Sequence, residues 1–137
     1  MVKKQEKKFR KEYAPELFKI AQGDLDSAKG LTSAKLGRVE NVCFHVQQAI
    51  EKALKAVLCH HEIPVPLVHD LGILLAKLPE DQNFPFGYEI NDLNDYAAIR
   101  RYEEGVIELS WDDAASVIKI GDTVLKWAGK IVPVTKS

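Results

Sequence analysis

The chain lacks several features that mark common protein classes. It has two cysteines, Cys43 and Cys59, which lie sixteen positions apart on one predicted helix, about 24 Å and therefore too far to form a disulfide. No apolar run approaches the roughly 20 residues that a membrane-spanning helix needs. The N-terminus is basic but has neither the apolar stretch nor the cleavage site of a signal peptide. We therefore expect a cytoplasmic protein with reduced cysteines.

The usual enzyme signatures are also missing. The sequence contains no GxGxxG, Walker, HExxH, CxxC or GxSxG pattern. The run Cys59-His60-His61-Glu62, with His69 nearby, could suggest a metal site. However, consecutive helical residues point about 100° apart, and no second ligand pair follows at zinc spacing. A helix C-terminus, where histidine is favoured by the helix dipole, explains the run, so we expect no metal or cofactor.

Positive charge is concentrated at the N-terminus. Residues 1–12 carry six lysines and arginines against two glutamates, whereas residues 13–137 carry thirteen basic against eighteen acidic residues. The body of the chain therefore lacks the basic surface of a general polyanion binder. We expect a basic, partly flexible leader over residues 1–13, one helical domain over residues 14–132 and a tail over residues 133–137.

Apolar residues recur at three- and four-residue steps, and strand-like alternation is nearly absent. The pattern predicts an all-α, up-and-down four-helix bundle with one additional short helix. The predicted helices cover residues 15–36, 39–61, 69–78, 92–102 and 110–130, and residues 79–89 form a loop pinned by its aromatic side chains. Three local signals mark the starts of the first, fourth and last of these helices: Pro15 in a first turn, Asn91 as a cap, and Ser110 with Asp113 as a capping-box-like pair. In the first helix, Gly23 and Gly30 indicate close packing or a bend, because glycine costs a helix about 1 kcal/mol relative to alanine.

The second predicted helix contains the most informative stretch, FHVQQAIEKALKAVL at residues 44–58. Its apolar stripe consists of Val42, Val46, Ala49, Ile50, Ala53, Leu54 and Val57. Gln47, Gln48, Glu51, Lys52 and Lys55 fill the rest of the helix surface, with Glu51 and Lys55 spaced for a favourable i,i+4 ion pair. A simple bundle helix does not need such a polar row, so this face is a candidate wall of a cleft or of a dimer.

Two groups of residues suit chemistry on phosphate. Arg38 and His45 lie about two helical turns apart, and such a pair can cleave RNA because arginine stabilises the phosphate charge while histidine exchanges the proton. The alternative is a chance spacing with Arg38 solvated at the helix entrance. Arg100 and Arg101, beside Tyr102, could clamp a phosphate and stack a base. The alternative here is that the arginines suit the helix dipole and pair with the glutamates that follow.

The order and spacing of four segments resemble the HEPN domain family, named for higher-eukaryote and prokaryote nucleotide binding. The segments are Asp24-Leu25 with Ala28, FHVQQAIEKALKA at 44–56, His69-Asp70-Leu71 with Leu74, and YAAIRRY at 96–102. The resemblance implies a helical bundle that often forms a homodimer and is commonly paired with a small nucleotidyltransferase, in some cases as toxin and antitoxin. Many such proteins are metal-independent ribonucleases, with an arginine and a histidine four to six residues apart near the fourth helix.

The sequence departs from that ribonuclease pattern. No histidine follows Arg100 or Arg101 at the required spacing, and Glu103 stands where the relevant branch often has proline. We therefore expect a non-catalytic or weakly active HEPN protein that binds a nucleotide, RNA or a nucleotidyltransferase partner. The expected ligand-binding residues are Asp24, Gln48, Lys52, His69, Arg100, Arg101 and Tyr102. His69 also has a structural interpretation, in which it only anchors the loop before the short helix.

Two alternative functions follow from the same residues. The first is a metal-independent ribonuclease toxin, for which Arg38, His45 and Arg101 are the weak catalytic candidates. The second is a homodimeric assembly module without a ligand, in which the polar row of the second helix pairs across the dimer.

Overall fold

The computed structural model describes residues 6–93 and 109–133. Its elements are β1 (Glu6–Lys7), α1 (Ala14–Ala34), α2 (Val39–His60), β2 (Val65–Pro66), α3 (Leu71–Ala76) and α4 (Trp111–Ile131). The predicted all-α class is confirmed, since β1 and β2 form only a two-residue antiparallel ladder. Within the described ranges, no helix is both long enough and apolar enough to span a bilayer.

The long helices begin and end close to the predicted residues. Pro15 lies in the first turn of α1, where its missing N–H costs nothing. Lys35 caps the C-terminus of α1 in the left-handed conformation at φ 50°, and Gly37 follows at φ 72°. These two residues reverse the chain into α2, so the helix ends two residues before the predicted Leu36.

The capping box predicted for α4 is present. Ser110 Oγ accepts a hydrogen bond from Asp113 N at 3.2 Å, and Asp113 Oδ2 accepts one from Ser110 N at 2.8 Å. Two backbone donors that the helix itself cannot satisfy are thereby paired. The sequence signal at residues 110–113 therefore sets the start of this helix correctly.

The short helix differs from the prediction. It spans Leu71–Ala76 rather than residues 69–78, and Asp70 caps it by accepting a hydrogen bond from Ile73 N at 3.1 Å. Asn91, expected to cap a following helix, lies inside a 3-10 turn and accepts a hydrogen bond from Gly72 N at 2.9 Å. Beyond residue 93, the helix predicted over residues 92–102 lies outside the described part of the chain.

The centre of the domain is α2, which packs against both α1 and α4. The whole predicted stripe of α2, from Val42 to Val57, is inaccessible to solvent. Gly121 of α4 lies where the three helices meet, because a Cβ built on it would stand 2.9 Å from side-chain atoms of both Leu25 and Val46. The small residue therefore permits the close approach of α4 to the other two helices.

Gly23 and Gly30 of α1 do not mark close packing, which is one of the two roles predicted for them. Both are exposed, and a Cβ built on either would have no neighbour within 4 Å among the described residues. The expectation of close packing was wrong because a glycine in a helical pattern shows only that a side chain is missing. Whether another helix occupies the vacated space depends on the tertiary arrangement.

The loop after α3 is pinned by aromatic side chains, as predicted. The rings of Phe84 and Trp127 meet edge to face at a centroid distance of 5.0 Å, and Phe86 lies against Phe84. Trp127 Nε1 also donates a hydrogen bond to Gln82 O at 2.7 Å. These contacts attach the loop to the C-terminal half of α4.

Residues 6–13 of the expected leader pack against the domain. Glu6 pairs with Pro66 in the β-ladder, and its carboxylate lies 3.2 Å from Lys77 Nζ. Arg10 O accepts a hydrogen bond from the buried thiol of Cys59 at 3.1 Å. Residues 6–10 therefore contact the domain at three points, and the partial flexibility of the leader stays a prediction.

Candidate functional site

The polar row of α2 forms two adjoining clusters. Gln48, Glu51, Lys52 and Lys55 are separated by three, four and seven positions, so they share one side of the helix. Lys52 contacts both Gln48 and Asp24 of α1. Glu51 contacts both Lys55 and His69, which lies just before α3. Helix periodicity thus concentrates the polar residues, and two neighbouring elements of the fold supply their partners.

The first cluster joins three residues that the sequence predicted as neighbours. Lys52 Nζ donates a hydrogen bond to Gln48 Oε1 at 2.9 Å and lies 3.9 Å from Asp24 Oδ2. The side chains of Lys52 and Asp24 remain 25% and 29% exposed, so solvent screens their attraction and the pair contributes little to stability. Lys52 is therefore oriented but is still accessible to an incoming anion.

The second cluster is built on a buried carboxylate. The Glu51 side chain is 1% exposed, and each of its oxygens has a partner: Oε1 lies 2.9 Å from His69 Nδ1, and Oε2 accepts a hydrogen bond from Lys55 Nζ at 3.0 Å. A buried carboxylate needs such partners, because leaving it unpaired would be costly. The His69 ring is 79% exposed, so the group that covers Glu51 itself faces solvent.

Sequence reasoning missed the burial of Glu51. The i,i+4 spacing predicts the Glu51–Lys55 ion pair correctly, but the same pattern places both residues, with Gln47, on the helix surface. Glu51 and Gln47 are in fact buried, with Gln47 only 6% exposed. The only sequence signal for this pair is the position of His69, in the His69-Asp70-Leu71 motif, at a helix start. Such a histidine is expected to donate a hydrogen bond, but the motif does not identify the acceptor.

The two remaining candidates within the described residues, Arg38 and His45, lie near the N-terminal end of α2. Arg38 occupies the N-cap of α2, and its Nε donates a hydrogen bond to Glu40 at 3.1 Å, which agrees with the solvated interpretation. His45 lies beside Phe44, with ring centroids 6.2 Å apart. Arg100, Arg101 and Tyr102 lie outside the described residues, so their role stays a prediction.

The Cys59–Glu62 run lies at the C-terminal end of α2. Among residues 6–93 and 109–133, no group of three or more metal-ligating side chains converges. Burial, and secondarily Glu12, raises the pKa of the Cys59 thiol. Burial, then the charges of Lys11 and His61, lowers the pKa of His60. Its Nδ1 is buried and has no hydrogen-bond partner within residues 6–93 and 109–133. His61 is turned away towards Gln82, with its Nε2 2.7 Å from Gln82 Oε1.

A groove of about 520 Å³ runs between α1 and α4. Its lining includes the apolar side chains of Phe18, Leu25 and Leu125 and the salt bridge of Lys29 with Asp122, whose atoms are 2.7 Å apart. None of the predicted site residues within residues 6–93 lines this groove. It is therefore separate from the polar clusters of α2.

Comparison with known proteins agrees with this architecture. The model of the HEPN family, described as HEPN domain, matches residues 14–132. The chain therefore belongs to the HEPN family. It is similar to the crystal structure of TT1696 from Thermus thermophilus, with a TM-score of 0.71 and 23% identity over 86% of this chain and 97% of that chain. At this identity the likeness shows the fold alone. No curated protein matches the chain.

Proposed function

We propose that this HEPN domain binds a nucleotide at the polar face of α2 and acts with a small nucleotidyltransferase in a two-component system of the toxin–antitoxin kind. The observation that supports it is the pair of oriented clusters, Asp24–Gln48–Lys52 and Glu51–His69–Lys55, on one side of an otherwise buried helix. Stability alone does not require a buried carboxylate of this kind, since apolar residues of similar volume often serve as well.

The chemistry of these groups suits a phosphate. Lysine binds phosphate as a compact positive charge, and Lys52 is already oriented by Gln48. Its link to Asp24 is long at 3.9 Å, so a phosphate oxygen can replace that carboxylate at small cost. In this proposal Arg100 and Arg101 add bidentate phosphate contacts and Tyr102 stacks on the base.

Calorimetric titration with AMP, ADP and ATP tests nucleotide binding. Lys52→Ala should weaken binding about tenfold, which is the loss expected for one charge-assisted hydrogen bond. Lys29→Ala is the matched control, because it also removes a lysine paired with an aspartate, in this case Asp122 beside the groove. Arg101→Ala should weaken binding similarly, with Arg10→Ala as its control. Equal affinities in all variants, or no binding heat, would remove the nucleotide proposal.

The partner is tested by affinity purification of the tagged chain from its native cell. Recovery of a small nucleotidyltransferase supports the two-component proposal. Recovery of a second copy of this chain alone favours a homodimeric assembly module. Light scattering at micromolar concentration then decides between a homodimer and a monomer. We propose the homodimer, and a monomer would count against it and against the assembly-module alternative.

Ribonuclease activity is tested in the same preparation. We expect RNA to stay intact in the presence of EDTA, because Arg100 and Arg101 lack a histidine at the family's spacing. Cleavage that disappears in Arg101→Ala or His45→Ala would instead establish the ribonuclease alternative.

A further inference from the structure

We propose that Glu51 is a positioning residue that fixes the ring of His69 so that His69 Nε2 contacts a phosphate oxygen of the bound nucleotide. This inference rests on the proposed function for its ligand. It assigns His69 the direct contact and assigns Glu51, which no ligand can reach, the task of orienting it.

The two members of the Glu51–His69 pair differ strongly in burial. Glu51 belongs to the core side of α2 and is 1% exposed, whereas the His69 side chain is 79% exposed. The carboxylate is therefore inside and the imidazole outside, with Nδ1 turned inwards at 2.9 Å from Glu51 Oε1. The opposite edge of the ring, which carries Nε2, is consequently directed away from Glu51.

The hydrogen bond to Glu51 also selects the tautomer of the His69 ring. An ionised carboxylate only accepts hydrogen bonds, so Nδ1 must carry the hydrogen in both the neutral and the protonated imidazole. Nε2 is then the nitrogen that is left to exchange a proton or bind an oxygen. The same arrangement of a carboxylate behind a histidine orients catalytic and metal-binding histidines in other proteins.

Neighbouring contacts hold the pair in place. Lys55, whose side chain is 12% exposed, binds the second oxygen of Glu51 at 3.0 Å and prevents the carboxylate from turning. Asp70, the residue after His69, caps α3 and so restrains the backbone next to the histidine. Because Lys55 balances the charge of Glu51, the carboxylate adds no net negative charge beside the exposed ring of His69.

A loop anchor alone does not require this geometry. A histidine that serves only to tie the β2–α3 segment to α2 would be expected to bury its ring, because burial adds apolar contact to the hydrogen bond. His69 instead exposes most of its ring. Its partner Glu51 lies one helical turn from Gln48, on the side of α2 that carries the first cluster.

Nitrogen-15 NMR of the full chain tests the inference. In the free protein, neutral His69 should be the tautomer protonated on Nδ1, and Glu51→Met should abolish that preference. On titration with AMP or inorganic phosphate, the Nε2 resonance of His69 should shift. The resonances of His60 and His61, at the far end of α2, should stay in place as internal controls.

Affinity measurements complete the test. His69→Gln should weaken AMP binding about tenfold, with His61→Gln as the matched control. Glu51→Gln should weaken it in the wild-type background and have no further effect in the His69→Gln background, since Glu51 acts through His69. Circular dichroism of each variant checks that the helices are retained, and the exposed position of His69 makes His69→Gln the safer variant.

The outcomes separate the two proposals. Nucleotide binding that depends on Lys52 and Arg101, but without a shift of His69 Nε2, would overturn this inference and leave the proposed function standing. No binding of AMP, ADP, ATP or phosphate would overturn both. A His69 tautomer protonated on Nε2 in the free protein would overturn the positioning role of Glu51, whatever binds.

Discussion

Single residues of one type have opposite roles in this protein, as its helical glycines show. Gly121 lies in the contact between α4 and the other long helices, whereas Gly23 lies on the solvent side of α1. A Cβ at Gly121 would meet Leu25 and Val46 at 2.9 Å, closer than real Cβ atoms approach a neighbour. The same atom at Gly23 would meet nothing within 4 Å in the part of the chain that the structure describes.

Gly121→Ala should therefore lower the free energy of unfolding by about 1–3 kcal/mol, as overpacking of a core does. Gly23→Ala should raise it by about 0.5–1 kcal/mol, because alanine is the better helix former. Urea denaturation of the two variants measures both changes. A Gly121→Ala variant as stable as wild type would show that α4 moves outwards without cost.

His60 should make stability depend on pH. Its pKa lies below the usual value of 6.5, chiefly because of burial, so the unfolded chain takes up a proton at a higher pH than the folded one. The contribution of neutral His60 is complete above pH 6.5 and is lost as the pH falls below it. When the pH is lowered from 7.5 to 5.5, the thermal midpoint of unfolding should therefore decrease more for wild type than for His60→Phe. Parallel losses would contradict this role.

At the scale of the element, each long helix combines a local start or stop signal with a face that a neighbour covers. The start of α4 depends on Ser110 and Asp113, which satisfy each other's backbone donors. Its inner face then follows the helical period from Ala114 to Ala128. The cap determines where the helix begins, and the packing against α2 determines which face is buried.

Ser110→Ala should cost about 1 kcal/mol of stability, and Asp113→Ala a similar amount. Because both side chains belong to one capping box, the double variant should lose less than the sum of the two. Urea denaturation of the three variants measures this coupling. Ser27→Ala, which removes an exposed hydroxyl from α1, is the control and should change stability by less than about 0.5 kcal/mol. Strict additivity would show that the two bonds act independently.

At the scale of the whole molecule, the N-terminal segment joins parts that are distant in sequence. Strand β1 pairs with β2, Glu6 reaches Lys77 beyond α3, and Arg10 O accepts the hydrogen bond of Cys59 at the end of α2. The segment thus covers the end of the bundle where the Cys59 thiol is buried. Its sequence, rich in lysine, gave no indication of this docking.

Deletion of residues 1–10 should lower stability by about 1–3 kcal/mol, because it removes the β-ladder and the partner of Cys59. It should also speed alkylation of Cys59, whose pKa is raised mainly by burial, relative to Cys43 in the interior of α2. Mass spectrometry of peptides follows the two thiols separately. Deletion of residues 1–5 leaves β1 intact and is the control. Unchanged Cys59 reactivity in the longer deletion would show that the segment does not protect the thiol.

The helices were predictable because their signals are local. The three-to-four-residue period, Pro15 in the first turn and the box at Ser110 act over one or two turns of chain, and each appears in the structure where expected. The candidate site was predictable only in part. Asp24, Gln48 and Lys52 do meet, because the spacing on α2 and the packing of α1 place them together. Arg100, Arg101 and Tyr102 lie outside the described residues.

The sequence by itself determined the all-α class, the apolar stripe of α2 and membership of the HEPN family, since periodicity and motif order are properties of the chain. Only the tertiary structure decided that Glu51 is a buried carboxylate between Lys55 and His69. The physical reason is that burial depends on which distant segment covers a helix face. His69, from the segment before α3, meets Glu51 on this face, so that a residue expected at the surface orients the exposed histidine of the candidate site.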